Sequence, residues 1–459
     1  MKRFALFLIL AICCTGLLGC TEPDPTPSTS PAAYEITFVS DGQVLGVVSA
    51  AAAPSFAPTR DGYALDGWYF DEQLSQPANL ADLAQGGADA RVYAKWNAVF
   101  TIEDGVITGL TESGKMQEQL TIPAQIDGTA ITAVGNNAFK NNNVATSVII
   151  QPDGITTIGE MAFSGMKKLS SVSIGDGVLT IGANAFSNNS ALLEIDVPDS
   201  VMEIGRYAFY FCINMQRASV GDGVVSLGKG VFHGCSKMTE AVIGSSVREI
   251  GADLFRDCAK LEKITVPFVG QYKNGSGATH IGYLFGATDY TGNRTSIKAL
   301  KEVVLTAATA VYQNAFYNCD GLSSIVLPEG LTKIGGCAFR GCTSLESISL
   351  PTTTTLVEYS AFSLCTSLAD VRLNEGLITI SSYAFYGCTA LEQIAVPRTV
   401  EEVGRYCFKA CTGLQNVSMG RTDGWTTGGA PVSESLLQTP TAAAAAFKNE
   451  LIKKGIVRN

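Results

Sequence analysis

Eight cysteines stand at positions 212, 235, 258, 319, 342, 365, 388 and 411, each three residues after a recurring Phe. Thiols can pair, hold a soft metal or act as nucleophiles. If neighbours in this column stack at about 5 Å, they come within disulfide reach, and an exported chain would permit oxidation. Yet Asn142, Met166, Asn189 and Thr288 occupy the same column. A position that accepts amide, thioether and hydroxyl suits a ladder of free, packed thiols better than a row of bridges, although the redox state stays open. Cys337 and Cys407 lie off the column and suggest no role. There is no Cys-x-x-Cys pair and there are only 2 His, so no metal site and no cofactor is expected. His233 and His280 fall in different repeats, neither His-Glu-x-x-His nor Gly-x-Ser-x-Gly occurs, and no carboxylate pair stands out for acid–base work. Gly223-Val-Val-Ser-Leu-Gly228-Lys229-Gly230 nearly spells a phosphate-binding loop, but Gly230 replaces the Ser or Thr that would hold magnesium. Nothing here asks for an enzyme.

Residues that could bind rather than react lie one position after the recurring Phe: Tyr210, His233, Arg256, Tyr317, Arg340, Tyr386 and Lys409. Tyr and Arg are favoured at interaction hot spots. In a stacked array they would form a stripe on one face, a candidate binding stripe. The plainer reading is a turn position that tolerates any solvated side chain. Residues 268–299 lengthen two repeats, as either a binding loop or simple loop drift. The outward column of the main strands, from Ser173, Asp196 and Ser219 to Ser418, carries no aromatic, so that face offers no sugar-stacking platform.

For residues this far apart to share a face, the chain must coil. Phe recurs at 139, 163, 186, 209, 232, 255, 285, 316, 339, 362, 385 and 408, in steps of 23 or 24 apart from one of 30 and one of 31. Ile-Gly-x-x-Ala-Phe leads into it, Leu or Met follows six residues later, and Leu-x-x-Ile-x-Leu-Pro closes the unit, as in Leu345-Glu-Ser-Ile-Ser-Leu-Pro351. One such unit cannot bury its Leu, Ile and Phe alone, so units must stack into a continuous core. The closing alternation predicts one short strand per repeat, ended by Pro198, Pro267, Pro328, Pro351 or Pro397. The pattern over 98–420 resembles the BspA-like leucine-rich repeat, which implies a repeat solenoid with short parallel strands per rung.

The ends set the context. Lys2 and Arg3 precede an apolar run from Phe4 to Leu18, too short for the roughly 20 residues of a membrane span. The run ends in Leu17-Leu18-Gly19-Cys20, which resembles a bacterial lipobox. That resemblance implies a lipoprotein signal peptide over 1–19 and lipidation of Cys20. Residues 20–33, rich in Pro, Ser and Thr, then serve as a spacer. Residues 34–97, with Pro58-Thr-Arg-Asp-Gly-Tyr63, Asp66-Gly-Trp-Tyr69 and Val92-Tyr-Ala-Lys-Trp96, resemble the Listeria–Bacteroides repeat of internalin B-repeat type, which implies a small β-grasp-like domain. Trp68, Tyr69 and Trp96 suit its core better than a sugar platform. Phe100 to Ile131 reads as an N-terminal cap of the array. Residues 421–459 read as a C-terminal cap, with a helix from Thr441 to Val457 after Pro440.

A net charge of −10 speaks against binding nucleic acid. The BspA-like resemblance implies a surface protein that adheres to host matrix or other surface glycoproteins. The expectation is therefore an exported, lipid-anchored adhesion or protein-interaction module on the extracellular face of the cell envelope, acting as a monomer and touching the membrane only through its lipid. A glycan-binding lipoprotein of a polysaccharide uptake system and a ligandless spacer are the alternatives.

Overall fold

The computed structural model describes residues 34–449, 451 and 454–458. The expected signal peptide, Cys20 and the Pro/Ser/Thr-rich linker lie outside the described residues. The chain divides into two compact units, one running to Pro58 and including Asp66–Lys95, the other made of Thr59–Leu65 and the chain from Trp96.

The first unit holds a small sheet. Its strands lie in the order Gln43–Ser49, Glu35–Ser40, Ala90–Ala98, Tyr63–Tyr69, Pro77–Ala78. The first two form an antiparallel hairpin, while Glu35–Ser40 runs parallel to Ala90–Ala98. Phe38 and Trp68 are buried with ring centroids 4.6 Å apart, and Phe56 packs 4.2 Å from Phe38. Trp68 is thus core, as a domain this small requires.

The second unit is a leucine-rich-repeat solenoid with a small β-sheet unit before it in sequence, the expected fold class. Each rung supplies three segments. The Leu-x-x-Ile-x-Leu part forms a strand that pairs in parallel with the same residues one rung on, as in Glu194↔Arg217 and Ile195↔Ala218. Its inward residues are buried and its outward ones alternate with them, the period-2 pattern of a half-buried strand. A two-residue strand, such as Glu203–Ile204, builds a second parallel ladder. The Gly after it must let the rungs close in. A Cβ on Gly228 would lie 2.4 Å from the backbone nitrogen of Arg206.

The third segment is a turn centred on Phe. The residue two before Phe, Phe itself and the residue two after it donate their N–H groups to the next rung, as Tyr207, Phe209 and Phe211 do to the carbonyls of Lys229, Val231 and His233. In most rungs the flanking two donors have positive φ: Asn184 and Asn188, or Asn314 and Asn318. Asn and Gly tolerate this left-handed conformation best. Inside the turns the Phe rings stack, with centroids 5.0 to 5.4 Å apart and planes within 10° from Phe163 to Phe232. Rings from Phe316 to Phe408 repeat the arrangement at 5.1 to 5.7 Å.

Residues 268–299 interrupt two of the three segments. The main strands bridge the interruption, since Lys263–Val266 pairs directly with Glu302–Leu305. The two-residue ladder stops at Glu249–Ile250 and resumes at Ala310–Val311. Asn293 rejoins the turn ladder: buried, it accepts from the Gly282 N–H at 2.9 Å and extends its amide group toward the carbonyls of Asn314, Ala315 and Tyr317.

Both ends of the array are covered. The hairpin of Phe100–Glu103 and Val106–Leu110 opens the two-residue ladder by pairing Val106–Ile107 with Ala133–Val134. At the other end, the helix expected over 441–457 is shorter. It spans Pro440–Lys448, with Pro at its start, and places Phe447 edge-on to Phe408 at 5.7 Å. Gly455 then takes φ +69, and Ile456–Arg458 is a strand antiparallel to Glu402–Val403. The open edge at Glu402–Val403 offers unpaired backbone groups, and pairing them outweighs a longer helix.

Candidate functional site

The stripe expected one residue after each Phe exists as a column, in two blocks. Asn188, Phe211 and Gly234 donate to the carbonyls of Tyr210, His233 and Arg256, which fixes these three on consecutive rungs. The same bonds run through Arg340, Ser363, Tyr386 and Lys409 after Tyr317. Gly286 takes the stripe position between the blocks, so the insertion breaks the line.

The stripe residues do not act alone. In the first block, the Tyr210 ring meets Phe211 at 4.4 Å, His233 at 5.1 Å and Tyr207 at 5.3 Å. Phe211 is 41% exposed. Carboxylates surround this cluster: His233 Nε2 is 3.1 Å from Asp257, Lys229 is 3.2 Å from Asp253, and Arg256 lies 4.0 Å from both. The Asp253 carboxylate raises the Lys229 ammonium above its ordinary pKa. In the second block, Tyr383 is the hub. Its ring lies 4.9 Å from Tyr406, 5.5 Å from Tyr359 and 5.8 Å from Tyr386. Lys409 Nζ sits 5.0 Å over the Tyr406 ring, a cation–π contact. Between the blocks, Tyr317 meets Tyr290 of the insertion edge-on at 5.3 Å. Arg340 holds its place in the column between Tyr317 and Ser363.

Tyr207, Phe211, Tyr359, Tyr383 and Tyr406 were not among the residues singled out from the sequence. Four of them, Tyr207, Phe211, Tyr383 and Tyr406, have φ between +55° and +60°. A bulky side chain in this conformation costs roughly 1–2 kcal/mol, at positions that Asn or Gly fills in several other rungs. The sequence carried only a weak signal, since Asn and Gly recur at these two positions but Met, Asp, Cys, Ser, Leu and Ala occur there too.

The insertion forms one wall of a cleft of about 540 Å³, lined by Arg256, Asp257, Thr288, Thr295, Ser296 and Lys298 among others. It therefore opens beside a stripe residue. His280 is buried within the insertion, with Nδ1 3.2 Å from Asn293 Oδ1. Burial lowers its pKa below the ordinary value.

The cysteine column is buried, and no disulfide joins its thiols in the structure. In most rungs the Sγ–H donates to the Phe carbonyl of the preceding rung, Cys212 to Phe186 at 3.2 Å and Cys365 to Phe339 at 3.0 Å. Burial pushes the thiols of Cys212 and Cys258 up to about 12. At the C-terminal end Cys411 moves the other way, lowered by the Cys388 side chain. Ser226–Leu227, within the loop-like Gly223–Gly230 sequence, is an ordinary two-residue strand of the array. Among the described residues, no group of three or more His, Cys, Asp or Glu is placed to hold a metal ion, and no helix is long and apolar enough to cross a membrane.

Comparison with known proteins accords with this geometry. The family profile described as the BspA type leucine rich repeat region matches six copies over residues 132–262 and 309–423, together more than half of the chain. No curated protein matches. Similar solved structures include a leucine-rich repeat protein from Bacteroides ovatus, at 22% identity over 65% of this chain and 92% of that one, TM-score 0.37. A leucine rich cell surface protein from Faecalibacterium prausnitzii is 26% identical over 71% and 93%, TM-score 0.31. The pneumococcal vaccine antigen PcpA is 21% identical over 72% and 80%, TM-score 0.34.

Proposed function

Because this chain belongs to the BspA type leucine rich repeat family, we propose that it is a bacterial surface protein that binds other proteins through the turn face of its solenoid. The partners are host matrix or other surface glycoproteins, and the outcome is adhesion. The lipobox-like Leu17-Leu18-Gly19-Cys20 supports export and a lipid anchor at Cys20. The role is one of interaction rather than catalysis.

One observation carries this reading. Tyr207, Phe211, Tyr383 and Tyr406 keep large aromatic rings on left-handed backbone, and the rings gather into two clusters beside the stripe. Strain retained where a cheaper residue is available points to function. Clustered Tyr rings flanked by Arg and Lys are the composition of interaction hot spots.

The test is solid-phase binding of the 98–459 fragment to immobilised matrix glycoproteins. Saturable binding is expected, with at least a tenfold loss when Tyr317, Arg340 and Tyr386 become Ala together. Full binding by that triple variant would remove the turn face from the account. Absence of binding by the parent fragment would overturn the adhesion reading.

A further inference from the structure

We infer that the tyrosine cluster of the C-terminal block is a binding site for acidic polysaccharide, the glycan portion of the partners proposed above. It rests on the reading of the turn face as the binding face, and it names the chemistry recognised there.

Charge is the first argument. The turn segments of four consecutive rungs, 336–344, 359–367, 382–390 and 405–413, contain no Asp or Glu, and the adjoining Glu358 is held by the Gly336 N–H at 2.8 Å and by Lys333 at 3.1 Å. They contain Arg340, Arg405 and Lys409, on a chain whose net charge is −10. Among the described residues none of these three cations is in an ion pair with a carboxylate. The N-terminal aromatic cluster differs, because Asp253 and Asp257 already engage Lys229, His233 and Arg256. A local positive field on an acidic protein favours an anionic ligand at that place.

Shape is the second. Tyr359, Tyr383 and Tyr406 advance one per rung along the array, at 5.5 and 4.9 Å between ring centroids. That spacing is comparable to the length of one pyranose unit, and with planes turned 62° and 38° from one another the rings offer edges as well as faces to a sugar chain passing over them. Tyr359 is 52% exposed, and Tyr383, Tyr386 and Tyr406 are half-buried, which leaves ring surface for the C–H faces of sugars. Ser382, Thr366 and Thr389 in the same segments add hydroxyls at the surface. An acidic peptide would satisfy the cations but has no ring-sized repeat to match the spacing of the tyrosines.

The experiment uses the full chain against immobilised hyaluronan, which presents carboxylates, heparin, which presents sulfates, and neutral dextran. Binding to one or both acidic polymers, weakening as salt rises and absent on dextran, is expected. Tyr383→Asn with Tyr406→Asn should weaken it at least tenfold. Asn is the residue other rungs carry at this backbone conformation, so the variant keeps the fold, and an unchanged Tm verifies that. Arg405→Ser with Lys409→Ser should do the same, whereas Arg217→Ser, which removes a cation paired with Glu194 on a main strand, should not. Equal binding to dextran, or full binding by the Tyr383/Tyr406 variant, would overturn the proposal. Capture by poly-glutamate but not by either acidic polysaccharide would overturn it in favour of an acidic peptide. A glycoprotein bound equally before and after removal of its glycans would overturn it while leaving protein adhesion standing. Failure to bind the glycoprotein in any form would sink both.

Discussion

Two residues decide whether the insertion joins the array. Asn293 spends its oxygen on the Gly282 N–H and on His280, and its amide group faces three carbonyls of the next rung. Asn293→Asp replaces that donor with an acceptor, and a loss of roughly 1–3 kcal/mol is expected on urea unfolding. His280 makes the same joint sensitive to acid. Its pKa is lowered in the fold, first by burial, so the unfolded state takes up protons before the folded state does. Stability from this group is fully present above about pH 6.5, the ordinary His value, and is lost as pH falls through the folded value. Hydrogen exchange at Gly282 should therefore speed up between pH 7 and 5 beyond its intrinsic change, and the excess should vanish in His280→Gln. The thiol column offers a second check. With Cys212 and Cys258 raised to about 12, almost no thiolate exists at pH 8, and burial blocks access. Iodoacetamide should leave Cys212, Cys235 and Cys258 unmodified in the native protein and label them fully in urea. Rapid native labelling would show that the rungs open.

Among the elements, the Phe turn carries the greatest share of the packing. Phe209 lies between Phe186 and Phe232 at 5.4 Å on each side. Phe209→Ala leaves a cavity that neighbouring rungs cannot fill without losing register, at about 3–5 kcal/mol. Because rungs contact only their neighbours, proteolysis should then cut near rungs 186–232 before it cuts near 385. This element also shows what the sequence could and could not convey. The 23-residue period gave away the rungs, their strands and the burial of the cysteines, since each follows from which side chains recur. The left-handed positions flanking Phe follow from backbone geometry instead. Their occupants range over Asn, Gly, Met, Tyr, Phe, Asp, Cys, Ser, Leu and Ala, so no single residue type announces them. The aromatic exceptions, Tyr207 and Tyr383 among them, therefore escaped notice while the stripe one residue on did not. At the C-terminus the Ala-rich run was legible as helix, but its end was set by a tertiary demand, the open edge at Glu402–Val403.

At the scale of the whole solenoid, the insertion divides the Phe stack and the stripe into two blocks while the main strands continue across it. The blocks differ in chemistry. The first pairs its cations with its own carboxylates, and the second keeps them beside half-buried tyrosines, so the two blocks present different chemistry on one face. The turn ladder adds a polarity that side chains do not supply. In every regular rung three peptide groups point the same way, carbonyls toward the N-terminal end and N–H groups toward the C-terminal end. In the parallel strands such groups alternate and their moments cancel, but here they add, as they do in an α-helix. That polarity belongs to the turn face alone, because on the other faces columns of N–H groups point back, as Met202 does to Leu179 and Gln216 to Leu193. Each added rung would therefore extend opposed columns of peptide dipoles side by side, and only a ligand lying on the turns would meet one of them by itself.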